Sequence, residues 1–238
     1  MKPEVVVDTP ANLAQRFAAC FAAEAATAVA ARGQFSCALP GGSVAETFFL
    51  VLARATVPWS QVDFFWGDER AVGPEDPDSN YGLSKRLLLD LVGADPARVH
   101  RLRGETPDLD AAARAYEDEM CRALGEPPRI DMMVLGMGPE GHVCSLFPGH
   151  RLLRERQRRV VEITDSPKPP PRRVTFTMGV LELARLTVVA AFGDSKAEAV
   201  REALAVPDSQ LPVALALRAA ERALVLIDPP AAQRWQQP

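Results

Sequence analysis

The nine residues IDMMVLGMG (130–138) decide the fold class of this chain. An almost unbroken apolar run ends in glycines spaced for a loop, with no alternation of polar and apolar positions. Such a strand is buried on both faces, as in a parallel sheet covered by helices. Outward from it, the pattern recurs in FSCALP (35–40), VDFFWGDE (62–69), RVTFTM (173–178), RLTVVAAFG (185–193) and RALVLID (222–228). Between these lie segments with helical spacing: 10–32, 45–54, 79–92, 108–124 (opening on Asp108) and 195–204. The alternation predicts one α/β domain over residues 1–238 with a mostly parallel sheet. The proline-dense PPPRR tract (169–173) reads as a rigid loop rather than a linker, because the sheet pattern resumes at Val174.

Bulk composition narrows the function classes. With 238 residues, 47% of them hydrophobic, the chain can bury a large core. A net charge of −4 offers no basic stripe for nucleic acid, so an anionic ligand would need a local cluster of cations. No apolar run approaches the roughly 18 residues of a membrane span, and MKPEVVVDTPANLAQ lacks the layout of a secretory leader. Cysteines 20, 37, 121 and 144 are scattered, as expected of small core residues in a reducing compartment, and the cytoplasm is the expected location. The expected assembly is a monomer or a weak homo-oligomer.

In open parallel sheets, ligands bind at the carboxyl ends of the strands. Four loops fall there, after Leu39, Trp66, Leu135 and Phe192. In LPGGSVAE (39–46), Gly41 and Gly42 let the backbone approach a ligand at a helix start, and Ser43 adds a hydroxyl. The plainer alternative makes Ser43 only a helix cap. In WGDERAVGPEDPDSNY (66–81), Asp68, Glu69 and Arg70 are either a solvated strand end or groups aimed into a cleft. In LGMGPEGHVCSLFPGH (135–150), three glycines frame Glu140 and His142. A histidine beside a carboxylate at a strand end suits general acid–base work, whereas His100 and His150 lack that company and read as structural or surface residues. In GDSKAEA (193–199), Lys196 sits in a first helical turn, where a cation opposes the helix dipole, so it binds an anion or is simply solvated. Arg172 and Arg173 flank the proline turn, either solvated or lining the cleft.

Other chemistries lack their signatures. There is no HExxH or paired-cysteine metal motif, no dinucleotide fingerprint beyond a single GxG, no Walker A sequence and no GxSxG elbow. Neither a metal nor an organic cofactor is expected.

The four loops, in this order, resemble the 6-phosphogluconolactonase family. The matching segments are PGGS (40–43), FFWGDER (64–70) with PDSNY (77–81), LGMGPEGHVCSLFPG (135–149), PPPRRVTFT (169–177) and GDSKAEAV (193–200). The resemblance implies a three-layer αβα fold of the kind shared by glucosamine-6-phosphate deaminases, ribose-5-phosphate isomerases and CoA transferases. It implies hydrolysis of 6-phosphoglucono-1,5-lactone to 6-phosphogluconate without a cofactor, on a small sugar-phosphate lactone, with neither nucleic acid nor membrane as partner. By the same resemblance His142 is the general base, with Glu140 orienting it. Arg70 is held near the substrate beside Asp68, Gly41, Gly42 and Ser43 form an anion loop, and Lys196 contacts phosphate. Arg172 and Arg173, within the PPPRR segment, are placed at the substrate by the same resemblance. Two departures stand out: Glu140 replaces the family's usual Asp, and Pro40, Val44 and Ala45 alter the usual SGGSTP loop.

A δ-lactone is an activated ester, so hydrolysis needs a positioned water, a base and a home for the oxyanion, either Arg70 or backbone N–H groups of residues 136–142. An amino-sugar phosphate deaminase of the same fold would typically carry DEY and FNEP where this chain has DER and SLFP. A non-catalytic sugar-phosphate sensor would usually add a helix-turn-helix, for which there is no room before the first strand.

Overall fold

The computed structural model describes residues 2–235. Six parallel strands form the main sheet: β1 (Glu4–Val7), β2 (Phe35–Leu39), β3 (Val62–Trp66), β5 (Met132–Gly136), β8 (Leu186–Ala191) and β9 (Ala223–Ile227), in the order β1-β9-β8-β5-β2-β3. Every residue of β2, β3 and β8 is buried, which accounts for their continuous apolar reading. The short edge strand β1 escapes the sequence pattern because only its two middle residues are even half-covered.

The helices are α1 (Pro10–Arg32), α2 (Gly42–Leu52), α3 (Asn80–Ser84), α4 (Asp90–Val92), α5 (Leu109–Leu124), α6 (Met178–Leu181), α7 (Ala197–Ala205), α8 (Pro212–Ala219) and α9 (Pro229–Ala232). A π-helical turn, Lys85–Leu89, joins α3 to α4, so the helix expected over 79–92 is continuous but not regular. Thr9 caps α1 by accepting from the Asn12 amide, Pro10 occupies its first turn, and Gly33 ends it in the left-handed region. One face of α1 buries Leu13, Phe17 and Phe21, and Phe17 stacks on Phe48 of α2 at 4.6 Å. Each such fully buried ring contributes on the order of 1.5–3 kcal/mol, which seats both helices on the sheet.

Two sequence expectations are corrected. VDFFWGDE (62–69) is not one strand: β3 ends at Trp66, and after Gly67 the chain enters a second sheet as β4 (Asp68–Arg70). RVTFTM does not rejoin the parallel sheet either. Its β7 (Arg173–Phe176) lies between β4 and β6 (Val160–Ile163) in a three-stranded antiparallel sheet. The break is built on hydrogen bonds. The Trp66 amide donates to the Tyr116 hydroxyl, and the Gly67 carbonyl accepts from the Phe176 amide. The small sheet thus stands over the carboxyl end of the large one and supplies a second wall.

Candidate active site

A cleft of about 300 Å³ opens where the first, second, third and fourth loops meet at the carboxyl ends of β2, β3, β5 and β8. Its walls include Ser43, Arg70, His142, Lys168, Arg173 and Lys196, so positive charge gathers here despite the acidic chain.

The GPEGH turn closes on itself. The Gly138 amide donates to the His142 carbonyl at 3.0 Å, and the Gly141 amide to the Gly138 carbonyl at 3.0 Å. Gly141 adopts φ +85°, a conformation that favours glycine, and a Cβ on Gly138 would overlap the His142 ring. The turn brings His142 Nδ1 to 3.1 Å from Glu140 Oε1. That is ion-pair distance without hydrogen-bond geometry, and the buried Nδ1 has no hydrogen-bond partner among the described residues. The ring packs against Phe147 at 4.7 Å. Burial pulls the imidazole below its ordinary value, only partly opposed by the Glu140 charge, so the neutral base form is favoured. Glu140 is pushed up by burial, but its own backbone N–H, the Lys168 ammonium and His142 outweigh that and hold it below the usual range.

Ser43 is not the helix cap. Gly41 occupies that position with no side-chain cap, leaving Ser43 exposed in the first turn of α2 and facing the cleft. Asn80 packs so closely on Gly41 that a Cβ there would collide with the amide. Lys196 ends a short 3-10 turn before α7, half-buried and without an ion-pair partner among the described residues. Burial and the neighbouring Lys168 charge both lower its pKa. An anion would relieve both effects.

The GDER residues divide their labour. Glu69, nearly fully buried, turns inward: its carboxylate accepts from the amides of Arg70, Asn80 and Tyr81 at 2.8 Å each and from the Ser79 hydroxyl at 3.0 Å. Burial raises its pKa against those bonds. It fastens the PDSNY segment over the cleft. Asp68 accepts from the Ser145 hydroxyl at 2.6 Å and from Asn80 Nδ2 at 3.2 Å. Arg70 lines the cleft, donates Nη1 to the Asp78 carbonyl, and keeps a buried Nε with no hydrogen bond among the described residues.

Arg172 and Arg173, adjacent in sequence, part company. Arg172 is exposed and donates to the Pro107 carbonyl, away from the cleft lining. Arg172 stands just before β7, outside the strand and exposed, while Arg173 is the first residue of the strand. Arg173 is buried and donates to the carbonyls of Lys168, Pro169 and Pro170 and to the Ser145 hydroxyl. It organises the proline loop more than it reaches for a ligand. That loop presents Lys168, absent from the sequence reading, whose Nζ lies 3.0 Å from Glu140 Oε1. Sequence reading also missed Asn80 and Ser145, since only the fold brings their segments to Asp68. Cys144, in the left-handed region at φ +52°, lines the cleft as well, but burial pushes its thiol well up, so it is no ready nucleophile.

Comparison with known proteins adds three kinds of likeness. Residues 8–225 match the family model described as glucosamine-6-phosphate isomerases/6-phosphogluconolactonase. The chain is 37% identical to a 6-phosphogluconolactonase of Streptomyces coelicolor, over 98% of this chain and 94% of that protein. It is 42% identical to a 6-phosphogluconolactonase of Mycobacterium tuberculosis, over 74% of this chain and 75% of that one. Among solved structures, that of 6-phosphogluconolactonase from Trypanosoma brucei superposes with a TM-score of 0.86 at 26% identity, covering 99% of both chains.

Proposed function

The chain belongs to the family of glucosamine-6-phosphate isomerases and 6-phosphogluconolactonases, and from that premise we infer that it hydrolyses 6-phosphoglucono-1,5-lactone to 6-phosphogluconate, the second step of the oxidative pentose phosphate pathway. The observation that carries this reading is a half-buried histidine 3.1 Å from a carboxylate, in a cleft that also gathers Arg70, Lys168, Arg173 and Lys196.

His142 takes a proton from water as the water attacks the lactone carbonyl, then returns it to the ring oxygen as the C–O bond breaks. Glu140 orients the imidazole and stabilises its protonated form. The oxyanion falls to the Arg70 guanidinium, which lines the cleft, or to backbone N–H groups of residues 136–142. The phosphate sits at the start of α2, on the Gly41–Gly42 backbone and Ser43, with Lys196 opposite. Asp68 and Arg173 shape the site through Ser145 rather than by direct contact. Four free cysteines suit action in the cytoplasm, and the chain works as a single catalytic unit.

The test is a coupled assay with freshly generated lactone, corrected for spontaneous hydrolysis. Acceleration without added metal and unchanged by chelator is expected. A background rate under every condition would refute the assignment.

A further inference from the structure

A base acting through Nε2 carries its proton on Nδ1, and that proton needs an acceptor. In His142 the acceptor is at hand but unused, because Glu140 Oε1 stands 3.1 Å from Nδ1 without hydrogen-bond geometry. The carboxylate is engaged elsewhere: Lys168 Nζ lies 3.0 Å from Oε1 and 3.1 Å from Oε2, spanning both oxygens.

Lys168 has a fixed root and a free tip. Its carbonyl accepts from Arg173 Nη2 and from the Ser166 hydroxyl, and its amide donates to Ser166 Oγ. The side chain is 39% exposed and lines the cleft, and its ammonium bonds only Glu140 among the described residues. It can therefore change partners by side-chain rotation alone. Lys196, on the facing loop, bears on both Lys168 and Glu140, so an anion settling beside Lys196 competes directly for the Lys168 charge.

We propose that Lys168 is a positioning residue that exchanges partners: in the ligand-free protein it holds Glu140 off the His142 axis, and the phosphate group of a bound sugar phosphate draws it away, so that Glu140 accepts the Nδ1 proton. The base is then completed only when a phosphorylated ligand is present, and a neutral lactone leaves it unfinished. The charged groups bearing on His142 are Glu140 within its own turn, Lys168 from the proline loop and Asp68 from β4. Asp68 is held by Ser145 and Asn80, whereas the Glu140 and Lys168 side chains hold each other, so departure of Lys168 frees Glu140. The catalytic consequence rests on the lactonase reading; the exchange of partners does not.

The chain has three histidines, which makes their ring resonances tractable by NMR. In wild-type protein a protected Nδ1–H signal of His142 is expected to be absent without ligand and to appear on adding 6-phosphogluconate or inorganic phosphate. In Lys168→Met it is expected without any ligand, and in Lys168→Arg, which keeps the cation, the wild-type pattern should return. Unchanged His100 and His150 resonances report intact folding. In turnover, Lys168→Met should lower the preference for phosphorylated over unphosphorylated gluconolactone about tenfold, the size of one charge-assisted contact. A Nδ1–H signal already present in ligand-free wild type, or absent from Lys168→Met, would overturn the proposal. Absence of turnover on either lactone would remove the lactonase reading and leave the spectroscopic result to decide the exchange.

Discussion

Two histidines in this molecule are both largely buried, both beside carboxylates, and opposite in character. His100 is held at both ring nitrogens, Nδ1 at 2.8 Å from Glu119 and Nε2 at 3.1 Å from Asp63, with its ring stacked on Phe65 at 4.5 Å. His142 has one carboxylate, poorly aligned, and no hydrogen bond at Nδ1 among the described residues. Burial works against the charged form of each. At His100 two good hydrogen bonds override it and push the pKa up to about 9, so the ring is a cation tying β3 to α5. At His142 burial wins, and the ring stays neutral. A buried histidine with every valence filled is a structural tie, and one left incomplete at a strand end is a base in waiting.

The largest expected effect is at His142. His142→Ala should lose roughly 10²–10⁴ in kcat, the usual size of a general-base contribution. His100→Gln should leave kcat near wild type, and a comparable loss there would erase the contrast. Next comes Lys196→Ala, which removes a charge-assisted bond of about 1.5–3 kcal/mol. It should weaken 6-phosphogluconate binding, measured by calorimetry, while barely touching unphosphorylated gluconolactone. Equal losses on both ligands would take Lys196 off the phosphate.

Glu140 should matter less than His142. Glu140→Gln removes the charge that raises the His142 pKa, so the acid limb of kcat/KM should move to lower pH while remaining histidine-dependent. Glu140→Asp should retain near-starting activity. If Glu140→Gln instead costs more than His142→Ala, the carboxylate is the base and the two roles reverse.

The smallest effect on activity, and a distinct one on stability, belongs to His100. Its folded pKa is raised from 6.5 to about 9, so its contribution to stability is fully present below the unfolded value and is lost as pH rises through the folded one. Thermal unfolding between about pH 6 and about pH 10 should show this loss in wild type and a flatter profile in His100→Gln. Identical profiles would mean that His100 is not held as a cation.

The same pair shows what was legible beforehand. His142 could be found because its carboxylate is two residues away, inside a glycine turn at a strand end. The carboxylates of His100 stand 37 and 19 residues off, so its chemistry was invisible and only its structural role could be read. Lys168 was passed over because it reads as one more cation in a proline tract, and its partner Glu140 is 28 residues away. Arg172 and Arg173 are equivalent as neighbours, yet Arg172 stands exposed just before β7 on the Pro107 carbonyl, while Arg173 opens the strand and is buried on the carbonyls of the proline loop.

The sequence by itself determined the parallel sheet and the ends of its strands, because unbroken apolar runs can be satisfied only where both faces are covered. It also determined the GPEGH turn, whose glycines allow what no side chain would. Only the tertiary structure decided that the strand breaks at Gly67 into a second, antiparallel sheet, because that break depends on bonds from Tyr116 and Phe176, distant in the chain. It alone decided which cation faces which carboxylate. Local pattern fixes backbone shape over a few residues, while electrostatic pairing depends on distances in space that the spacing of the sequence does not carry.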